Sequence, residues 1–89
     1  MKLKDNYELS RKESQWVVTL NGEATGINFD SMSFEDTTEV LWNLLKERNV
    51  TKADMLDALI NRFDISTVLA LGNIDVFVRI LKENGIIEE

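Results

Sequence analysis

Residues 27–45, INFDSMSFEDTTEVLWNLL, hold the point where the hydrophobic period of the chain changes, and the fold class follows from that change. Upstream, apolar and β-branched residues recur as in strands; downstream they recur every third or fourth position, as on a helix face. A third strand is expected within Ile27 to Phe34, with a candidate break near Asp30-Ser31. Ser33-Phe34-Glu35-Asp36 then has the shape of a capping box, an aspartate standing where glutamate is usual. Beyond it Val40, Leu41, Leu44 and Leu45 share a face flanked by Trp42. Glu35, Asp36, Glu39, Asn43, Lys46 and Glu47 fall on the other side, and Asn49 is a stop signal.

Toward the N-terminus, Tyr7, Leu9 and Arg11 alternate with Glu8 and Ser10, and Trp16-Val17-Val18-Thr19-Leu20 follows. These are two strands turned at Lys12-Glu13-Ser14. Asn21-Gly22 and Gly26 mark the next reversal. Toward the C-terminus, Thr51-Lys52-Ala53-Asp54 repeats the capping pattern ahead of Met55, Leu56, Leu59, Ile60 and Phe63, an apolar stripe at helical spacing. Ser66 is the expected N-cap of a third helix over about Thr67–Asn84. Gly85 stands where a C′ glycine belongs, and Ile86 and Ile87 can fold back onto the core after it. Three strands and then three helices around one core imply α+β, with a three-stranded antiparallel sheet in a winged-helix-like arrangement. Residues 1–89 are read as a single domain.

Composition narrows the function. Apolar residues make up 44% of the chain, enough for a core, and proline is absent. Without cysteine or histidine there is no disulfide, no thiolate or ordinary zinc site, and no Ser-His or Cys-His nucleophile pair. Neither glycine-rich nucleotide-binding loop is present. Asp30, Glu35, Asp36 and Glu39 cluster at the first helix start, where the helix dipole favours carboxylates in any case. The expectation is a protein that is not an enzyme and uses no cofactor or metal of its own. The opening Met1-Lys2-Leu3-Lys4-Asp5-Asn6 lacks a signal-peptide apolar core, and no apolar run approaches the roughly 18 residues of a membrane span. A cytoplasmic location without membrane contact is the default.

Sixteen acidic against ten basic residues give a net charge of −6, which repels nucleic-acid phosphates. The helix that would enter a DNA groove begins Thr67-Val68-Leu69-Ala70-Leu71-Gly72-Asn73, with no cation. Arg79 and Lys82 come late and are matched by Asp75 and Glu83. No nucleic-acid partner is expected.

The third helix carries more apolar surface than one core face uses. Ala70, Ile74, Phe77 and Leu81 make a core stripe, yet Val68, Leu69, Leu71, Val76, Val78 and Ile80 widen the arc. A small domain cannot bury a helix all round, so this surface meets a partner, a second copy or the N-terminal strands. Gly72 in mid-helix costs roughly 1 kcal/mol relative to alanine, which suits a close approach by another backbone.

The ordered set of residues resembles the PqqD-like family, the peptide chaperones of pyrroloquinoline quinone biosynthesis, within the wider class of RiPP recognition elements. It runs from Leu3 and Asn6-Tyr7-Glu8-Leu9 through Trp16-Val17-Val18, Asn28-Phe29-Asp30, Phe34-Glu35-Asp36-Thr37, Leu41-Trp42 and Leu44-Leu45. It ends with Asp75-Val76-Phe77, Leu81 and Lys82-Glu83-Asn84-Gly85-Ile86-Ile87. The chain departs from the family's Leu-Asn-x-Thr-Gly at Glu35 and Thr38, and at Gly72, where relatives carry a helix former.

The resemblance implies a chaperone that binds the leader of a ribosomally made precursor peptide. It would present that peptide to a modifying enzyme, usually a radical S-adenosylmethionine enzyme whose clusters belong to the enzyme. The leader would add as a strand beside the third strand, with the third helix closing the groove. Candidate peptide-binding residues are Ile27, Phe29, Met32 and Phe34 on the strand, and Leu69, Gly72, Asp75, Val76 and Arg79 on the helix. Two helix rows compete for the groove: Leu69, Val76 and Ile80, or Leu71, Asp75, Val78 and Lys82. Arg79 lies between them, and an exposed pair to a leader carboxylate would contribute only about 0–1 kcal/mol. Apolar contacts must then supply most of the affinity. The alternatives are a generic interaction or oligomerisation domain and a winged-helix transcription regulator; a monomer or weak homodimer is expected.

The charge and the uncharged start of the third helix predict negligible duplex-DNA binding at physiological salt. Fluorescence anisotropy checks this, and sub-micromolar, sequence-dependent binding would favour the regulator.

Overall fold

The computed structural model describes residues 1–13, 15–30 and 35–88. Four strands come first, β1 (Lys2–Leu3), β2 (Tyr7–Lys12), β3 (Gln15–Leu20) and β4 (Glu23–Asp30). The helices α1 (Glu35–Glu47), α2 (Lys52–Arg62) and α3 (Thr67–Glu83) follow, and β5 (Ile87–Glu88) ends the chain. β2, β3 and β4 form an antiparallel sheet in that order. The chain is therefore α+β, a three-stranded antiparallel sheet followed by three helices.

Turn chemistry sets the sheet. Asn21 at φ 53° and Gly22 at φ 86° place two successive left-handed residues between Leu20 and its partner Glu23, as a tight hairpin requires. The expected reversal at Gly26 does not occur. Gly26, at φ 83°, lies inside β4, which begins at Glu23 rather than Ile27. Register shifts between Val17 and Thr19, where β4 carries a bulge. Thr25 repairs the ladder there: its hydroxyl donates to the Val18 carbonyl at 2.8 Å and accepts the Ile27 N–H at 3.2 Å.

The helix ends follow their sequence signals. Thr51 Oγ1 accepts the Asp54 N–H at 3.2 Å while the Asp54 carboxylate accepts the Thr51 N–H at 2.9 Å, a complete capping box. That backbone hydrogen bond holds the Asp54 carboxyl below its ordinary range. Ser66 Oγ caps α3 through the Leu69 N–H at 3.2 Å. At the other end the Ile86 N–H reaches the Leu81 carbonyl at 2.9 Å and the Gly85 N–H reaches that of Lys82 at 3.1 Å. With Gly85 at φ 68°, this is a Schellman closure, and it aims the chain back at the sheet side. The capping box expected at Ser33–Asp36 lies outside the described residues.

After Gly85 the chain does more than fold back. Ile87 pairs with Leu3 and Glu88 with Lys2, so β5 and β1 make a second, two-stranded sheet that binds the two ends together. Leu3, Ile86 and Ile87 are all buried. Periodicity gives no sign of β1, because two residues are too few to show a period.

The core lies between the sheet and the helices. Ala70, Ile74, Phe77 and Leu81 are buried, as their spacing implies, and meet Met55 and Leu59 of α2 with Leu41, Trp42 and Leu45 of α1. Val78 is buried as well. Ile60, placed by spacing in the α2 stripe, is instead 40% exposed at its outer edge.

Trp42 is 2% exposed, and Trp42→Ala is expected to cost about 3–5 kcal/mol in a denaturant titration. A loss under about 1 kcal/mol would mean that its ring does not fill the core.

Candidate functional site

Two packing facts open a cleft on one side of the molecule. β4 is the last strand of its sheet, and among the described residues no strand pairs with its outer edge. α3 stands beside it, held at the floor by Phe29 and Phe77, whose ring centroids are 5.2 Å apart at an interplanar angle of 34°. Above these rings is a cleft of about 300 Å³. Asn28 and Phe29 line it from β4, Thr37, Thr38 and Leu41 from α1, and Asn73, Val76, Phe77 and Ile80 from α3. A smaller cleft between the sheet and α1 is spanned by the Lys46–Glu8 ion pair at 2.8 Å.

The helix geometry separates the two candidate rows. Leu69, Asn73, Val76 and Ile80 follow one another at i, i+4, i+7 and i+11, so they form a single line along α3. Three members of that line border the cleft, and Leu69 continues it one turn toward the N-terminus of the helix, 55% exposed. Val76, also in the line, is 49% exposed. The other row faces α2. Val78 is buried, and Asp75 reaches the α2 residue Lys52 at 3.0 Å.

The candidate residues therefore separate. Phe29 and Val76 line the cleft, Leu69 extends its helical wall, and Ile27 is half-buried against the core at the bulge. Asp75 lies on the opposite flank, engaged by Lys52. Gly72 and Arg79 are exposed on the outer surface of α3 and do not line the cleft. An added Cβ at Gly72 would meet nothing within 4 Å, so packing within the chain gives no reason for glycine there. Met32 and Phe34 lie outside the described residues.

Asn28, Thr37, Thr38 and, above all, Asn73 are site residues beyond those expected from sequence. The Asn73 Nδ2 is buried and has no hydrogen-bond partner; among the described residues it is the one buried side-chain nitrogen or oxygen in that state. A signal for it was present: Asn73 is the single polar member of an otherwise apolar helical row. The cleft supplies apolar walls, one unsatisfied donor and an open strand edge. No three His, Cys, Asp or Glu residues come together as a metal site among the described residues.

Comparison with protein-family models finds no match, and comparison with curated proteins finds none either. Among solved structures the chain is similar to TbiB1 in complex with the TbiA(beta) leader peptide, at 18% identity and a TM-score of 0.66. The match covers 99% of this chain and 95% of that one. At that identity the likeness shows a shared fold.

Gly72 and Asn73 are adjacent, and each costs the unliganded chain stability. Gly72→Ala is expected to stabilise it by about 1 kcal/mol through helix propensity. Asn73→Leu, of the same shape without the unmet donor, is expected to add about 1–3 kcal/mol. Denaturant midpoints check both, and a loss of stability in either variant would show that the wild-type residue supports the fold.

Proposed function

We propose that this chain is a leader-peptide-binding chaperone, a PqqD-like RiPP recognition element that holds a ribosomally made precursor peptide for a modifying enzyme. The observation that carries this reading is the pairing of an open strand edge with an apolar helix row across one cleft. A strand edge offers unpaired N–H and C=O groups to any extended peptide, whatever its sequence. Side-chain pockets along the facing wall then add selectivity, and Val76, Ile80 and Leu69 supply apolar surface for that wall. TbiB1, which shares the fold, is seen in complex with a leader peptide, and this supports the same use of the fold here.

The bulge at Thr25–Ile27 confines the addition. The Ile27 N–H is directed to the Thr25 hydroxyl, so regular pairing with a peptide is available chiefly beyond it, at Asn28–Asp30 beside the cleft. The chain has no histidine or cysteine and contributes binding, not chemistry. The modifying enzyme is a radical S-adenosylmethionine enzyme in this reading, by resemblance to the PqqD-like chaperones, and any iron–sulfur cluster resides there.

Isothermal titration with a cognate leader peptide is expected to show binding, with exchange protection gained by the amides of residues 28–30. Val76→Glu puts a charge into the apolar wall and is expected to weaken binding about tenfold or more while the fold persists. Unchanged affinity in that variant, with protection appearing away from β4, would refute the cleft as the peptide site.

A further inference from the structure

We infer that Asn73 is a peptide-binding residue of the cleft, its Nδ2 donating a hydrogen bond to a neutral carbonyl oxygen that the bound peptide brings. This rests on the peptide-binding reading and names the chemistry recognised at one point of it. The Nδ2 group is buried and unpartnered, and Asn73 itself borders the cleft on its α3 wall, so a turn of the side chain brings the amide to a bound peptide. An amide nitrogen is a donor only, so its partner must be an acceptor. Phe29, Leu41, Val76, Phe77 and Ile80 make the cleft mostly apolar, and its other lining residues, Asn28, Thr37 and Thr38, are uncharged. A carboxylate brought there would lose its water and meet no cation in return, an unfavourable exchange made worse by a chain of net charge −6. A neutral carbonyl loses far less.

The geometry of strand addition supplies such an oxygen. A peptide laid along β4 spends half of its backbone groups on that strand and turns the other half outward, toward α3. A helix has no spare backbone N–H in its middle turns, because each is bonded within the helix. Only a side chain can satisfy an outward carbonyl from α3, and Asn73 sits in the middle of the helix row that borders the cleft. The same N–H group could instead donate to the carboxamide oxygen of an asparagine or glutamine side chain. The shared chemistry is an uncharged carbonyl, and the two sources separate by experiment.

The full chain is used to select binders from a random-peptide display library. Several selected peptides are then titrated against the parent, Asn73→Leu and Asn73→Asp. The ¹⁵N-labelled protein reports which backbone amides and which side-chain amide resonances move. The expected result is a roughly ten- to hundredfold loss of affinity in Asn73→Leu. Asn73→Asp is expected to lose at least as much, because it turns an acceptor toward an acceptor, and the Asn73 side-chain protons of the parent shift on binding. A loss shared by all peptides identifies a main-chain carbonyl. A loss confined to peptides with Asn or Gln at one position, and absent once that residue is replaced by leucine, identifies a side-chain carboxamide. Peptides that perturb β4 and α3 yet bind Asn73→Leu within about twofold of the parent overturn this inference alone. Selected peptides that leave β4 and α3 unperturbed overturn the cleft as a peptide site and this inference with it.

Discussion

The contact between Phe29 and Phe77 is the constraint on which the cleft depends. Each ring comes from a different layer, one from the last strand of the sheet and one from the core face of α3. Tilted rings at this separation attract one another beyond the area they bury, by about 0.5–1.5 kcal/mol. They also occupy volume. With two aromatic rings at the floor, β4 and α3 cannot close on each other above them, and the space between stays open at one end of the core. Smaller residues at these two positions would let strand and helix approach and fill that space.

Against this floor, the upper wall is built of residues that do little for the unliganded fold. Val76 and Leu69 leave apolar surface in water, and Asn73 buries a donor without a partner. A helix tolerates this because its core face is well engaged: Ala70, Ile74, Phe77 and Leu81 are buried, and the Ser66 cap and Schellman closure secure its ends. Local choices that cost stability tend to gather where a partner repays them. Their concentration on one wall of one cleft sets that wall apart from the α2-facing flank, where Val78 is buried and Asp75 has Lys52.

The open strand edge needs management of its own, since an unpaired edge invites other chains to pair with it. Here the bulge at Thr25–Ile27 breaks the edge into shorter pieces, and Gly26 with its left-handed backbone makes the bend possible. The second sheet of β1 and β5 works differently. It ties both ends of the chain together and covers Leu3, Ile86 and Ile87. The bulge leaves regular pieces of the β4 edge on either side of it, and Asn28–Asp30 is the piece beside the cleft.

Much of the fold was legible from local signals. The change of period near residue 30 separated sheet from helices; Asn21-Gly22, Thr51, Ser66 and Gly85 each marked an end that hydrogen bonds then secure. These signals work because turns and caps depend on a few neighbouring residues, and amphipathic spacing reports burial within one element. Gly26 misled for the same reason: a left-handed glycine serves a reversal or a bulge, and only the partner strand decides which. The pairing of β1 with β5 was invisible because it joins residues from opposite ends of the chain. The apolar arc of α3 announced a surplus of surface, but no pattern within the helix could tell its two flanks apart. That was decided when Val78 was buried and Asp75 met Lys52 of α2, while Asn73, Val76 and Ile80 were left bordering the cleft beside β4. By itself the sequence determined the three helices, their main end signals, the Asn21-Gly22 turn and the excess apolar surface, because those are set by neighbours along the chain; tertiary structure alone decided which flank stays open, because that depends on what packs beside it.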